Sequence, residues 1–272
     1  MNTCYVIGSP IAHSLSPVLH TAGYEAQGIS SEWQFLRREC VAEDVHEFIA
    51  SLDAAVRGVS VTMPCKFAAL DAADEVSDRA RVIGSANTLV HREDGSWFAD
   101  NTDCEGILGA LAELGVQGNV RGNNAVVIGG GGTSRPALWA LGQLGAETVT
   151  VINRTDKSDQ LRHLVGDAEF RYSDYSGDLT AMTEEAAVVI STVPSAVIAS
   201  REEEIAQCPV LDVIYDPRPT PLVTAARKGG YPAVEGNVML AHQSFSQYEK
   251  YTGTDAPSAA MRAALDAYLA GE

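Results

Sequence analysis

One segment constrains the fold of this chain more than any other: Val126 to Lys157, VVIGGGGTSRPALWALGQLGAETVTVINRTDK. The apolar run Ala125-Val126-Val127-Ile128 leads straight into four glycines, Gly129, Gly130, Gly131 and Gly132. Ala137, Leu138, Leu141 and Leu144 follow at helical spacing, and the pattern stops at Gly145. A β-branched run, Val149 to Ile152, then ends in Asn153-Arg154-Thr155. Strand, glycine turn, helix and strand in this order form a βαβ unit, whose helix N-terminus takes a dinucleotide pyrophosphate. Glycines at the turn let backbone N–H groups approach phosphate closely. The third fingerprint position is Ser134 and not Gly, and Pro136 falls in the first helical turn, where its missing N–H is tolerated. The competing reading is a glycine-rich loop without a ligand.

The end of the second strand selects the dinucleotide. An NAD site places Asp or Glu there to accept from the ribose hydroxyl. Asn153, Arg154 and Thr155, with Asp156, Lys157 and Ser158 behind them, offer a guanidinium, an ammonium and hydroxyls instead. Those donors suit a 2′-phosphate, so NADP is the expected cofactor.

At 272 residues with 46% apolar content, one large or two ordinary domains are expected. The formal net charge of −17 argues against nucleic-acid or anionic-membrane partners. An anion site must therefore be built locally, from N–H groups, hydroxyls and a few placed cations. Five scattered cysteines without a CxxC pair read as free thiols in a reducing compartment, with no metal site. The N-terminus lacks a signal-peptide pattern, so a cytoplasmic protein is expected, as monomer or homodimer.

Strands are expected at 4–8, 33–36 and 57–61, alternating with helices at about 18–27 and 42–52 and from Phe67 onward, which argues a parallel sheet. Thr88–His91 and Trp97–Ala99 are expected to pair across Glu93-Asp94-Gly95-Ser96. A helix over Asp103–Leu114 leads to the second domain. Further strands fall at 188–190 and 210–214, a helix at 220–228, and two helices after Val238 that return to the first domain. The expected domains are 1–102 with 238–272, and 103–237. Four polar clusters sit where strands end: His13 to Ser16, Ser60 to Lys66, Gly84 to Thr88 and Asp100 to Asp103. In open α/β sheets such ends line the ligand crevice. Each cluster also has a bland reading: Ser16-Pro17 as N-cap and N1, Lys66 as a solvated lysine, Asp103 as an N-cap, and Asn87 as a turn tie.

Together these stretches resemble the shikimate dehydrogenase family over nearly the whole chain. The matching segments are GSPIAHSLSPVLH (8–20), VSVTMPCK (59–66), GSANTL (84–89), DNTDCEG (100–106), GGGGTSR (129–135), NRT (153–155), STVP (191–194), DVIYDPRPTPL (212–222) and GNVMLAHQ (236–243). Ser60 and Thr21 depart, standing where many members carry Asn. The resemblance implies a two-domain α/β fold, with a substrate domain, a Rossmann-type NADP domain and C-terminal helices returning to the first. It also implies reversible reduction of 3-dehydroshikimate to shikimate. Lys66 and Asp103 would be catalytic. Ser14, Ser16, Thr62, Asn87, Tyr215 and Gln243 would bind substrate. Gly129 to Thr133 would hold the pyrophosphate and Asn153 to Ser158 the 2′-phosphate. Thr192, Val193, Val213, Gly236 and Met239 would line the nicotinamide, with Asp78 also near the cofactor. The alternatives are a quinate/shikimate dehydrogenase preferring NAD, a methylene-tetrahydrofolate dehydrogenase-like enzyme of the same two-domain plan, and a non-catalytic sensor of shikimate-pathway acids.

Overall fold

The computed structural model describes residues 1–271. It divides into two compact units: Met1–Thr102 together with the residues from Leu240 onward, and Asp103–Met239.

The first unit is built on a six-stranded sheet. Its strands are β1 (Asn2–Gly8), β2 (Trp33–Glu39), β3 (Val56–Val61), β4 (Glu75–Val76), β5 (Thr88–His91) and β6 (Trp97–Asp100), in the order β2-β1-β3-β5-β6-β4. β2, β1 and β3 run parallel, with Ile7 opposite Val61. β5 is antiparallel to β6, as the pairing across the tight turn predicts, and also to β3, so the sheet is mixed where strand–helix alternation alone argues a parallel one. The reason is local: only five residues separate β5 from β6, too few for a crossover. Asp94 closes that turn by accepting from the Ser96 N–H, and His91 stacks on Trp97 at 4.4 Å. Ile7, Val59, Val61, Leu89, Trp97 and Ala99 form the core on one face. Helix Ser16–Ala26 buries Leu19, His20 and Tyr24. Helix Gly236–Thr252, from Leu240 onward, and helix Ser258–Ala270 complete this unit, the second packing on helix Ser16–Ala26.

The second unit has strands β7 (Asn124–Ile128), β8 (Thr148–Ile152), β9 (Glu169–Ser173), β10 (Ala186–Ser191), β11 (Val210–Asp212) and β12 (Ala233–Glu235), ordered β12-β11-β10-β7-β8-β9. All pairs are parallel. Numbered within the unit, this is the 3-2-1-4-5-6 order of doubly wound dinucleotide-binding sheets. The order reverses between β7 and β10, which makes a crevice at their carboxyl ends. The central strands are buried on both faces, as their unbroken Val/Ile runs require. β9 and β12, which periodicity did not reveal, are the two edges. β9 is largely polar and part-exposed, and β12 has only three residues.

Candidate active site

Strand register gathers the first unit's polar clusters at one edge of its sheet. β1 and β3 are parallel and end together, so the loops carrying Ser14 and Thr62 leave from the same edge. β5 begins there because Ser60 pairs with Thr88, and β6 ends there because Thr88 pairs with Asp100. Asn87 precedes β5 and Thr102 follows β6, after which the chain enters the second unit at Asp103.

Ser14 and Ser16 have their hydroxyls 3.4 Å apart. Helix Ser16–Ala26 starts at Ser16 itself with Leu15 in the cap position, and no side chain caps it. The N-cap reading of Ser16 is therefore one residue off, and its hydroxyl is not engaged in capping. Arg37 on β2 fixes this loop by donating to the Ser14 carbonyl at 3.0 and 2.6 Å. The Thr62 N–H donates to the Ile7 carbonyl, tying that loop to the end of β1. Lys66 opens helix Lys66–Asp71, and its carbonyl accepts from the Ala86 N–H at 2.9 Å. Lys66 and Asn87 are thereby backbone neighbours.

Asn87 is buried and its orientation is determined. Its Oδ1 accepts from the Thr102 N–H at 2.7 Å and the Thr88 hydroxyl at 2.8 Å, while its Nδ2 donates to Gln243 Oε1 at 3.3 Å. Beside it Asp100 is held by Arg79, Ser77 and Lys250. Burial alone would raise its pKa, but those partners outweigh it and hold the carboxyl well below the usual range. Asp100 thus anchors the edge structurally. Asp78, in the first turn of helix Asp78–Ile83, is the one cofactor candidate carried by the first unit.

In the second unit, Asp103 opens helix Asp103–Glu113 and is buried. Gly129 adopts φ of +108°, and a Cβ there would lie 2.4 Å from the Thr192 hydroxyl. Thr192 donates that hydroxyl to the Ile128 carbonyl at 2.8 Å, which seats Thr192 and Val193 at the β7/β10 switch point. A Cβ on Gly236 would lie 1.9 Å from the Val213 carbonyl oxygen, so these two candidates are in direct backbone contact. Met239 is buried three residues further on. Tyr215 follows β11, and burial raises its pKa, with Asp216 adding to the effect.

A dinucleotide fits the turn. A Cβ at Gly131 or Gly132 would meet nothing within 4 Å, so the open side leaves room for a phosphate. Thr133 precedes helix Ser134–Gln143 without a side-chain cap, which leaves the helix N–H groups for an anion. Ser134, in place of the third glycine, is fully buried and donates to the Gly131 carbonyl at 2.7 Å. Lys157 reaches back to the Gly130 carbonyl at 2.9 Å, joining the second loop to the turn. Asn153 is turned onto the Thr155 carbonyl. Asp156 and Ser158 bond to each other, and that holds the Asp156 carboxyl below its ordinary pKa. Arg154 sits between these ties in an exposed position.

Thr88 and Thr102 lie in the polar clusters read from the sequence but had no role assigned there, and Gln247 was not singled out; all three surround Asn87 with hydrogen bonds. The one available signal is the spacing of Gln243 and Gln247, i and i+4 on one helix face.

A parallel sheet in the strand order of dinucleotide-binding folds and a mixed sheet with hydroxyls, an amide and an ammonium at one end define a two-domain α/β architecture. Three family models match in order: the shikimate dehydrogenase substrate binding domain at 6–89, shikimate/quinate 5-dehydrogenase at 110–214, and the shikimate 5′-dehydrogenase C-terminal domain at 238–265. The chain is 36% identical over 269 residues to the shikimate dehydrogenase (NADP+) of Roseobacter denitrificans, covering 94% of this chain and 96% of that protein. It is similar to the shikimate dehydrogenase structure from Mycobacterium tuberculosis, with TM-score 0.90, 41% identity and coverage of 98% and 100%. The shikimate 5-dehydrogenase of Mycobacterium fortuitum gives TM-score 0.88, 43% identity and 97% of each chain. The chain also matches pentafunctional AROM polypeptides, such as that of Lachancea thermotolerans at 32% identity, and spans 17% of their length. The chain belongs to the shikimate dehydrogenase family.

Proposed function

We propose that this chain catalyses the reversible NADP-dependent reduction of 3-dehydroshikimate to shikimate. The observation that carries the reading is the strand register that lays Ser14, Ser16, Thr62, Lys66, Asn87 and Thr102 along one sheet edge, with Asp103 next in sequence. The Ser14 and Ser16 hydroxyls bind the substrate carboxylate, which lets an acidic protein hold an acid without an arginine clamp. Asn87, with Lys66 and Asp103, binds at the reacting oxygen and its neighbouring hydroxyl, and Thr62, Tyr215 and Gln243 bind the ring hydroxyls and complete the carboxylate contacts. The Gly129–Thr133 turn takes the pyrophosphate, Arg154 and Lys157 offer positive charge to the 2′-phosphate, and Thr192, Val193, Val213, Gly236 and Met239 line the nicotinamide. Bound NADPH supplies the hydride. As negative charge builds on the carbonyl oxygen, the Lys66 ammonium stabilises it and gives up a proton to it. Asp103 orients the neighbouring hydroxyl and the lysine. In alcohol oxidation Lys66 takes the proton back.

The setting is the cytoplasm, because five buried thiols outside any disulfide suit a reducing compartment, and the chain acts as a monomer or homodimer. The test is initial rates, followed at the reduced-nicotinamide absorbance band, with shikimate or quinate and with NADP or NAD. The expected result is turnover with shikimate and NADP above every other pair. A preference for NAD above about tenfold overturns the cofactor assignment, since one charge-assisted contact carries at least that factor. No turnover with either acid overturns the function.

A further inference from the structure

The first unit contains a buried chain of hydrogen bonds that ends on Asn87, and fixed donors and acceptors set the direction of its main links. Gln247, 1% exposed, is its centre. One terminal atom of its amide lies 3.0 Å from the Asn87 main-chain carbonyl and 3.0 Å from the Thr88 hydroxyl. A carbonyl only accepts, so that atom is the NH2. The other atom is then the amide oxygen, and it accepts from the Ser60 hydroxyl at 2.8 Å. Ser60 has given its one proton to Gln247, so at 3.0 Å it accepts from the Tyr251 hydroxyl. Thr88, accepting from Gln247, sends its proton on to Asn87 Oδ1. The Thr102 N–H, which can only donate, and the Thr102 hydroxyl reach the same oxygen at 2.7 and 3.1 Å.

Three donors converge on Asn87 Oδ1, so the amide cannot turn over. Asn87 is held with its NH2 directed away from this cluster, on the side where that group donates to Gln243 Oε1. Gln243 is itself oriented, because its NH2 donates to the Leu240 carbonyl at 3.1 Å. A mobile amide offers donor or acceptor, whereas one locked in this way offers a donor only. That discriminates a lone-pair-bearing ring oxygen from a group that must donate.

We propose that Gln247 is a positioning residue: acting through Thr88 and the Asn87 carbonyl, it locks the Asn87 amide so that it donates to a substrate oxygen. This rests on the shikimate dehydrogenase reading above. The test compares wild type, Gln247→Met, Thr88→Val, Asn87→Ala and Gln247→Met/Asn87→Ala, with rates normalised to protein competent to bind NADP. Gln247→Met keeps the length and loses the amide, and Thr88→Val keeps the shape and loses the hydroxyl. Each is expected to lower kcat/KM for shikimate about 10- to 100-fold, the scale of a small misplacement at a reacting centre, with KM for NADP unchanged. Gln247→Met on top of Asn87→Ala is expected to add less than about twofold, because the two act as one unit. Additive losses in the double variant, or a Gln247→Met enzyme at wild-type kcat/KM, overturn the inference alone. A wild type inactive toward shikimate overturns the function and the inference with it.

Discussion

At the scale of single residues, two side chains carry the sharpest expectations. Lys66→Ala removes both the positive charge and the proton proposed for the carbonyl oxygen. It should lower kcat about 10²- to 10⁴-fold with a smaller change in KM, measured at saturating NADP. An unchanged kcat removes Lys66 from that role. His20 makes a different kind of prediction. Its ring is fully buried, stacked on Phe35 at 4.1 Å and flanked by Tyr251 and Tyr248. Burial pushes its pKa down to about 3 from 6.5, with Gln247 a lesser opposing influence. The unfolded chain binds this proton and the folded one does not, so stability should fall as pH drops from 6.5 towards 3. The slope is about 1.4 kcal/mol per pH unit, or about 2 kcal/mol by pH 5. Urea midpoints of wild type and His20→Phe between pH 5 and 7 check it: the variant should lose that slope, and equal slopes would sink the assignment.

At this scale the sequence is only partly readable. The hydroxyls at Ser14 and Ser16 and the ammonium at Lys66 are legible because their chemistry is specific and they fall at strand ends. The bonds around Asn87 are not legible, because Gln247 lies 160 residues away and only the folded sheet joins them.

At the scale of elements, the glycines divide by what surrounds them. A methyl on Gly236 would run into the Val213 carbonyl, where neither strand end can yield cheaply. Gly236→Ala should cost about 3 kcal/mol in a denaturation experiment. A methyl on Gly131 meets nothing of the protein. Gly131→Ala should leave the denaturation midpoint within about 0.5 kcal/mol of wild type and weaken NADP binding, measured by fluorescence titration. The reverse pattern would show that the turn is glycine-rich for folding and not for a phosphate. The central strands and the β5–β6 hairpin were legible because β-branched runs and a tight turn leave few alternatives. β9 and β12 were not, since edge strands carry polar residues or too few residues to show a period. The place of β5 antiparallel beside β3 escaped, because strand–helix alternation reads order along the chain and not which strands pair.

At the scale of the molecule, all five thiols are buried and none is in a disulfide. Burial pushes Cys4, Cys65 and Cys208 up to about 12 and also raises Cys40, which suppresses the thiolate at neutral pH. Native protein should therefore resist a thiol-specific reagent. Cys4, Cys40 and Cys65 belong to the first unit and Cys104 and Cys208 to the second. Labelling under mild denaturant should then proceed in groups of three and two if the units open separately. A thiol that reacts at once in native buffer would contradict its burial.

The first unit is sewn from the two extremities of the chain, with helix Ser258–Ala270 seated on helix Ser16–Ala26. The second unit is a single unbroken stretch. During synthesis the early residues must wait, unfinished, for the last helices to emerge, while the middle of the chain has everything it needs to close first. The order of birth and the order of completion are opposed, and the sheet edge that carries Ser14, Thr62 and Asn87 is the part kept waiting.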